Sequence, residues 1–448
     1  MKRLMLTAMH SGAGKTVVTC ALLNALKRRG LEVQAIKCGP DYIDPMFHTR
    51  VLGVPSRNLD LFLQGSDGVQ AALRRTQADV AVLEGAMGFY DGVAGTEAAS
   101  AWEIARRTKT PAVLILRPKG ADITLAAQVR AMLDFRPDSQ IVALLLTDCK
   151  SSLAAYLKPI LERETGLPVL GYLPPMEQAA LGSRHLGLLT AAEIAHFTRR
   201  FDALADQLER TADLDALLKL AAEGHSPGQT VRISKPCCRI GVARDQAFCF
   251  CYEDNLDLLR TAGAEPVFFS PLQDAALPYG VDGLYLPGGY PELYAKQLSE
   301  NQEMRRSIRE AVRSGLPTVA ECGGFLYLQQ QLEGEDGQNY PMCGVLPGKG
   351  VRTGRLQRFG YQRLAAETDS MLLRQGEGVP AHEFHYWDST ENGTDLLSQK
   401  PDGRQWRCGY AGENLYAAFP HLHFGGALPL AQRFVSACVK RKEQEALE

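Results

Sequence analysis

This chain of 448 residues predicts an α/β protein of two domains, the first built on a doubly wound parallel sheet. Three observations carry that prediction. The length exceeds what one hydrophobic core serves and suggests two domains of about 200 residues each. Short continuous apolar runs alternate with helical stretches, the pattern of parallel strands covered by helices on both faces. The alternation breaks once, in EGHSPGQTVRISKP (223–236), where Gly, Ser and two prolines occur without periodicity, and then restarts. The expected boundaries are 1–222 for the first domain, 223–236 for a linker and 237–448 for the second.

The elements follow in order. KRLMLTA (2–8) is short and apolar, a first strand. Lys15–Arg29 has helical periodicity and stops at Gly30. VQAIK (33–37), DVAVLE (79–84), PAVLIL (111–116), IVALLLT (141–147) and PVLGYL (168–173) read as buried parallel strands. Helices are expected at 97–107, 121–134 and 151–164, and a helical stretch at 191–222 closes the domain. After the linker, RIGVA (239–243), GLYLPG (283–288) and LPTVAE (316–321) read as strands, with helices near 252–263 and 302–314. The tail 431–448 is helical with some basic residues and is expected to cap the last domain. No internal repeat or low-complexity tract interrupts the pattern.

Composition narrows the function. An apolar fraction of 45% is that of a globular protein. Lys+Arg 49 against Asp+Glu 51 gives a formal charge of -2, which argues against a nucleic-acid partner. The apolar stretch Leu4–Met9 is only a strand long, and no run approaches the ~20 apolar residues of a membrane span, so neither a secretory leader nor a membrane partner is expected. Eleven cysteines include no CxxC, and Cys237–Cys238 and Cys249/Cys251 are too close in sequence for a zinc framework or a disulfide set. Reduced thiols in a cytoplasmic enzyme is the expectation, and a homodimer stays open.

The first chemistry lies in HSGAGKT (10–16). A strand, then Ser11, Gly12, Ala13 and Gly14, then a helix, is the context of a phosphate-binding loop. Small residues let backbone N–H groups close around phosphate at a helix N-terminus. Lys15 is expected to neutralise β/γ-phosphate charge, and the Thr16 hydroxyl to ligate Mg²⁺. Ala8 and Met9 stand where the general pattern has its first glycine. KCGPDYIDPMFH (37–48) reads as a proline-bounded loop bringing Asp41 and Asp44 to the carboxyl edge of the sheet, where open α/β sheets bind ligands. VLEGAMGFYDG (82–92) delivers Glu84 to that edge on a strand, placed to hold Mg²⁺ as a Walker-B acid does, and presents Asp91 on a glycine-rich loop.

A second chemistry lies in AECGGFLYL (320–328). Cys322 stands between a strand and Gly323–Gly324, which open a helix, so a sharp turn exposes it. The helix N-terminus is expected to lower the thiol pKa and give a thiolate able to attack a carbonyl. FPHLHFGG (419–426) offers a base, His421, with His423 two positions on and on the same side. LPGGYPE (286–292) offers backbone amides at Gly288, Gly289 and Tyr290, suited to an oxyanion. AHEFHYW (381–387) groups two histidines with a glutamate and is read as substrate contact.

In sequence order, SGAGKT (11–16), GPDYIDP (39–45), NLD (58–60), EGAMGFYDG (84–92), SRHLGL (183–188), PGGYPE (287–292), AECGG (320–324), HEFHY (382–386) and HLHF (421–424) resemble the cobyrinate a,c-diamide synthase family along nearly the whole chain. The resemblance implies an ATP-binding domain similar to dethiobiotin synthetase, a P-loop NTPase-like fold, joined to a class I glutamine amidotransferase domain. It implies ATP and Mg²⁺ as cofactors, and glutamine and a corrin such as cobyrinate as substrates. It also implies amidation of the a and c acetates through acyl phosphates, with Cys322 releasing ammonia and His421 as its base. Ammonia would need a shielded path between the domains. On this reading Thr16, Asp41 and Glu84 surround Mg²⁺, while Asp44 and Asp91 position the substrate carboxylate. Departures are LLLTDCK (144–150), where relatives carry an Asn near the adenine, RPKG (117–120) in place of an acidic residue, and His423, where class I enzymes commonly carry a Glu. Hydrogenobyrinate or nickel-sirohydrochlorin as substrate stays open, as does a P-loop ATPase switch with a C-terminal domain that only binds.

Overall fold

The computed structural model describes residues 1–176, 191–223 and 236–446. SRHLGL (183–188) and the expected linker, apart from Glu223 and Pro236, lie outside the described residues. Two compact units span Met1–Thr230 and Val231–Glu448.

The first unit runs β1 (Lys2–Ala8), α1 (Lys15–Arg28), β2 (Val33–Cys38), α2 (Ile43–Leu52), β3 (Ser56–Leu59), α3 (Leu61–Arg75), β4 (Val80–Glu84), α4 (Ala101–Thr108), β5 (Ala112–Leu116), α5 (Ile123–Asp134), β6 (Ile141–Thr147), α6 (Ser151–Thr165), β7 (Val169–Leu173), α7 (Ala191–Thr211), α8 (Leu214–Leu220) and β8 (Ala222–Glu223). The strands lie in the order β3-β2-β4-β1-β5-β6-β7, all parallel, with β8 antiparallel to β1. Successive side chains of a strand face opposite sides. Accordingly, Leu4 and Leu6 enter one core with α1, α7 and α8, and Met5 enters the other with α3 to α6. Two buried faces explain why the strands are continuously apolar.

Two expectations here need correction. KCGPDYIDPMFH opens with the last two residues of β2, Lys37 and Cys38, is a loop only over 39–42, and from Ile43 is the helix α2. Pro45 falls in its first turn, where a missing N–H costs nothing, and Asp41 Oδ1 accepts from the Ile43 N–H at 2.9 Å. The stretch 191–222 is two helices and a short strand, split where Asp213 caps α8 by accepting from the Ala216 N–H at 2.8 Å. The edge strand β3 carries no apolar run, and its Asn58 instead ties down the preceding loop, donating to Gly39 O (2.9 Å) and Asp41 O (2.7 Å).

The second unit holds β9 (Cys238–Ala243), β10 (Phe248–Phe250), α9 (Glu253–Thr261), β11 (Ala264–Phe269), β12 (Gly283–Leu286), β13 (Gly288–Gly289), α10 (Ala295–Glu300), α11 (Gln302–Arg313), β14 (Thr318–Glu321), α12 (Gly323–Leu328), β15 (Gln331–Glu333), β16 (Asn339–Pro341), β17 (Lys349–Ala366), β18 (Gly378–Ser389), β19 (Leu396–Gln399), β20 (Gln405–Cys408), β21 (Tyr410–Ala411), β22 (Leu415–Ala418), β23 (His421–Leu422) and α13 (Leu430–Glu445). One sheet has the order β11-β9-β12-β14-β22-β21, parallel except for the last pair. A second, mostly antiparallel sheet is organised by the long pair β17–β18 and reaches β23. The tail helix α13 packs on the first sheet through Phe434 and Cys438.

No helix among the described residues is long and apolar enough to cross a membrane. All eleven cysteines are free thiols.

Candidate active sites

In the first unit the phosphate loop joins β1 to α1. Gly12 (φ +80°) and Gly14 (φ +93°) adopt left-handed backbone, and a Cβ at Gly14 would come within 3.0 Å of Thr147 Oγ1 at the end of β6. Ser11, Gly12 and Ala13 therefore lead through a left-handed turn into a position, Gly14, where a side chain would crowd Thr147. Lys15 donates to His10 O at 3.1 Å and to Met87 O, so it lies between the loop and the β4 edge. Burial, reinforced by the nearby Lys37 charge, lowers its pKa to about 8.

Thr16 Oγ1 donates to Glu84 Oε1 at 2.8 Å. The same oxygen accepts from Lys37 Nζ at 2.8 Å, and Lys37 also donates to Asp44 Oδ2 at 2.5 Å, with Asp41 Oδ2 at 4.0 Å. Lys37 is thus seated among three carboxylates. Burial pulls its pKa down, but Glu84 and Asp44 more than reverse this and hold the ammonium above its ordinary value. Burial also pushes Asp44 up, assisted by the Glu84 charge. For Glu84 burial is outweighed by Lys37 and His48, which hold it well below the usual carboxylate range. Two buried carboxylates thus share one ammonium. Sequence reasoning passed over Lys37, although a lysine on an inward-facing buried strand is itself a signal. Asp91 lies apart from this cluster, with Oδ2 accepting from the Gly88 N–H at 2.8 Å.

The donors suit Mg²⁺, which takes oxygen ligands. Thr16 and Glu84 are together, and Asp44 Oδ1 is a buried oxygen with no hydrogen-bond partner. One oxygen of Asp41 is committed to the Ile43 N–H. Asp148, in the stretch that departs from the resemblance, is paired with Arg117.

In the second unit β14 ends at Glu321, and Cys322 turns sharply with φ 49° and ψ -103°, a conformation uncommon for a residue with a Cβ. The Cys322 N–H donates to Ala418 O at 2.8 Å, which fixes the turn against β22. Two side chains meet around Gly288: a Cβ there would come 2.4 Å from His421 Cε1, 3.2 Å from His421 Nε2 and 3.4 Å from Cys322 Cβ. Gly324 is equally constrained, since its Cβ would come 2.1 Å from Leu286 O.

The thiol departs from expectation. Burial, then the neighbouring Glu292 and Glu383, push Cys322 well above an ordinary thiol, and the hydrogen bond from the Gly323 amide does not offset them. A helix of six residues is a weak counterweight to full desolvation. Glu292 is itself pushed up to about 8 by burial. Glu321 lies at 3.6 Å from His421 Nδ1 through Oε2, accepts from the Leu422 N–H at 3.1 Å through Oε1, and accepts from Tyr285 OH at 3.2 Å. Sequence reasoning passed over it as the end of a strand. His423 is turned elsewhere: its Nδ1 accepts from the Gly425 N–H at 3.0 Å and its ring lies against Tyr252.

Gly288 and Gly289 form β13, antiparallel to β10, and the Tyr290 N–H is committed to Ala247 O at 2.9 Å, so that amide is not available to an oxyanion. In the HEFHY stretch, His382 is opposite His421 in the β18–β23 register. Glu383 receives His385 Nε2 at 2.6 Å, Gln362 Nε2 at 2.6 Å and Arg358 Nε at 2.9 Å, while the His385 ring stacks on Phe419.

Known proteins match both halves. Residues 239–428 match the model of the CobB/CobQ-like glutamine amidotransferase domain, and residues 4–188 that of the CobQ/CobB/MinD/ParA nucleotide binding domain. The cobyrinate a,c-diamide synthase of Clostridium acetobutylicum is 38% identical over 97% of this chain and 100% of its own. The Listeria innocua protein of the same name is 40% identical over 95% and 96%, and that of Thermoplasma volcanium 36% over 99% and 99%. Such likeness, end to end and across both units, places the chain in the cobyrinate a,c-diamide synthase family.

Proposed function

We propose that this ligase amidates the a and c acetate side chains of cobyrinate, using ATP to activate each carboxylate and glutamine to supply nitrogen. The observation that carries the reading is the meeting of Cys322 and His421 around Gly288, in a chain whose other unit holds a phosphate loop.

A carboxylate resists ammonia because the anion repels a nucleophile and offers only oxide as leaving group. Transfer of the γ-phosphoryl group to one carboxylate oxygen gives an acyl phosphate and ADP. Ammonia then forms the C–N bond, the bond to the phosphate oxygen breaks, and the nitrogen loses a proton. Lys15 offsets charge on the group in transfer. Asp44 and Asp91 are assigned to the substrate carboxylate. Thr16, Glu84 and Asp41 would hold Mg²⁺, which supplies neutralising charge to the nucleotide phosphates.

At the second site Cys322 Sγ attacks the glutamine carboxamide, and His421 takes the thiol proton and delivers it to the departing ammonia. Water hydrolyses the thioester to glutamate. With the thiol held high, proton transfer accompanies attack rather than preceding it. Gly288 and Gly289 line the glutamine side, and Glu321 orients His421.

The test is the purified protein with cobyrinate, Mg²⁺, ATP and glutamine. Mass spectrometry should show two successive exchanges of OH for NH₂. Cys322→Ala should reduce glutamine-driven amidation to background and leave ammonia-driven amidation intact. No amidation of cobyrinate from either nitrogen source by the unaltered protein would overturn the reading.

A further inference from the structure

We propose that the apolar cavity beside the phosphate loop, between the ends of β4 and β5 and the helix α5, seats one edge of the tetrapyrrole ring. This rests on the amidation reading above and assigns the part of the first unit that receives the macrocycle. The cavity has a volume of about 550 Å³ and is walled by Phe89, Leu116, Leu125, Met132 and Phe135. Such a volume is that of a ligand pocket, and such a lining wants a flat apolar body, not phosphate. Phe135 of that lining is more than half exposed, as are Met87 and Ile123 on the neighbouring segments.

Its position suits the reaction. His10 and Ala13 of the phosphate loop form part of the lining, as does Asp91. Asp91 also acts electrostatically on Lys15, which ties the cavity to the phosphate site. A ring edge seated here would carry its peripheral acetates to that boundary. Arg117, also in the lining, offers a cation to other peripheral carboxylates while remaining paired with Asp148. A macrocycle with its carboxylates is larger than the cavity, so an edge enters and the remainder lies over the exposed apolar residues.

Ala131 lines the cavity from an exposed position on α5, which permits a bulky replacement without disturbing the core. Ala131→Trp should weaken cobyrinate binding, measured by equilibrium dialysis, by about tenfold or more. Its KM for cobyrinate should rise in parallel, with KM for ATP and glutaminase activity unchanged. Should Ala131→Trp fail to fold by circular dichroism, Phe135→Ala removes a wall instead and should weaken binding about threefold or more. The proposal is overturned by unchanged cobyrinate affinity, by a rise in KM for ATP in its place, which would make this the base pocket, or by a changed sedimentation state, which would make it a contact between copies. Failure of the unaltered protein to bind or amidate cobyrinate would sink the functional reading itself. Normal amidation by Ala131→Trp would sink only the cavity assignment.

Discussion

Cys322, the nucleophile proposed above, is buried, and burial with the carboxylates of Glu292 and Glu383 disfavours its thiolate. The sign follows directly. A raised pKa keeps the thiol neutral at neutral pH, so reaction with iodoacetamide should be slow and should climb about tenfold per pH unit into the mildly alkaline range. A rate that is flat across neutral pH would show a preformed thiolate and refute the assignment. Glu321 is tested by Glu321→Gln, which keeps the shape but loses the charge beside His421. Glutaminase kcat should fall by up to about 10⁴-fold, the scale on which an orienting carboxylate acts in a hydrolytic triad. Ammonia-driven amidation should persist, which a merely unfolded variant could not show. Cys322 and His421 were readable from the sequence because each sits in an unusual local string. Glu321 and Lys37 were not, because their meaning lies in what faces them across strands: Glu321 beside His421 and Tyr285, Lys37 beside Glu84 and Asp44.

At the scale of elements, the central parallel strands β1, β4, β5 and β6 announce themselves through continuous apolar runs, since they are buried on both faces. The β17–β18 pair gives no such signal. β17 is mostly polar and part-exposed, and its pairing with β18 shifts register near Gln357 and Gly360. The short strand β13 is equally quiet, yet its backbone passes so close to the cysteine and histidine that only glycine fits at position 288. Gly288→Ala should displace His421, and misplacement of about 1 Å can cost on the order of 10²-fold in rate. The expected result is that loss in glutaminase kcat with KM for ATP unchanged. Wild-type glutaminase in this variant would mean that the loop yields and the close approach has no function. In α2, Pro45 was read as a mark of loop, but a first-turn proline fits a helix start equally well, and only the Asp41 contact to Ile43 decides between them.

For the whole molecule, each unit has its own cores: two flank the sheet of the first and two serve the second. The two compact units should unfold as separate cooperative steps. Calorimetry should therefore resolve two transitions. A ligand at 100 times its Kd stabilises its site by about 2.7 kcal/mol. ATP with Mg²⁺ should raise one transition, and a thiol-directed glutamine analogue should raise the other. A single transition raised by both ligands would refute independent stability. The two-domain division and the α/β class were legible from length and alternation, because those depend on chain averages. The partners Glu321 and Lys37 depend on single contacts across strands and were not.

Lys37, packed among Asp41, Asp44 and Glu84, has a bearing on how the resting enzyme deals with the ions around it. An acidic pocket open to water would scavenge whatever divalent ion is abundant, including ones that arrest turnover. Here the chain supplies its own counter-ion, so an idle site has little appetite for a bare cation, and the metal should arrive only as the companion of a nucleotide. Titration calorimetry should find no Mg²⁺ or Mn²⁺ uptake by the protein alone, and uptake once a non-hydrolysable ATP analogue is present. Lys37→Met should reverse that discipline, taking up Mn²⁺ unaided, and should also unfold about 3–5 kcal/mol more easily because two buried carboxylates then face each other uncompensated. Metal uptake by the unaltered protein without nucleotide would show that the lysine is no guard at all.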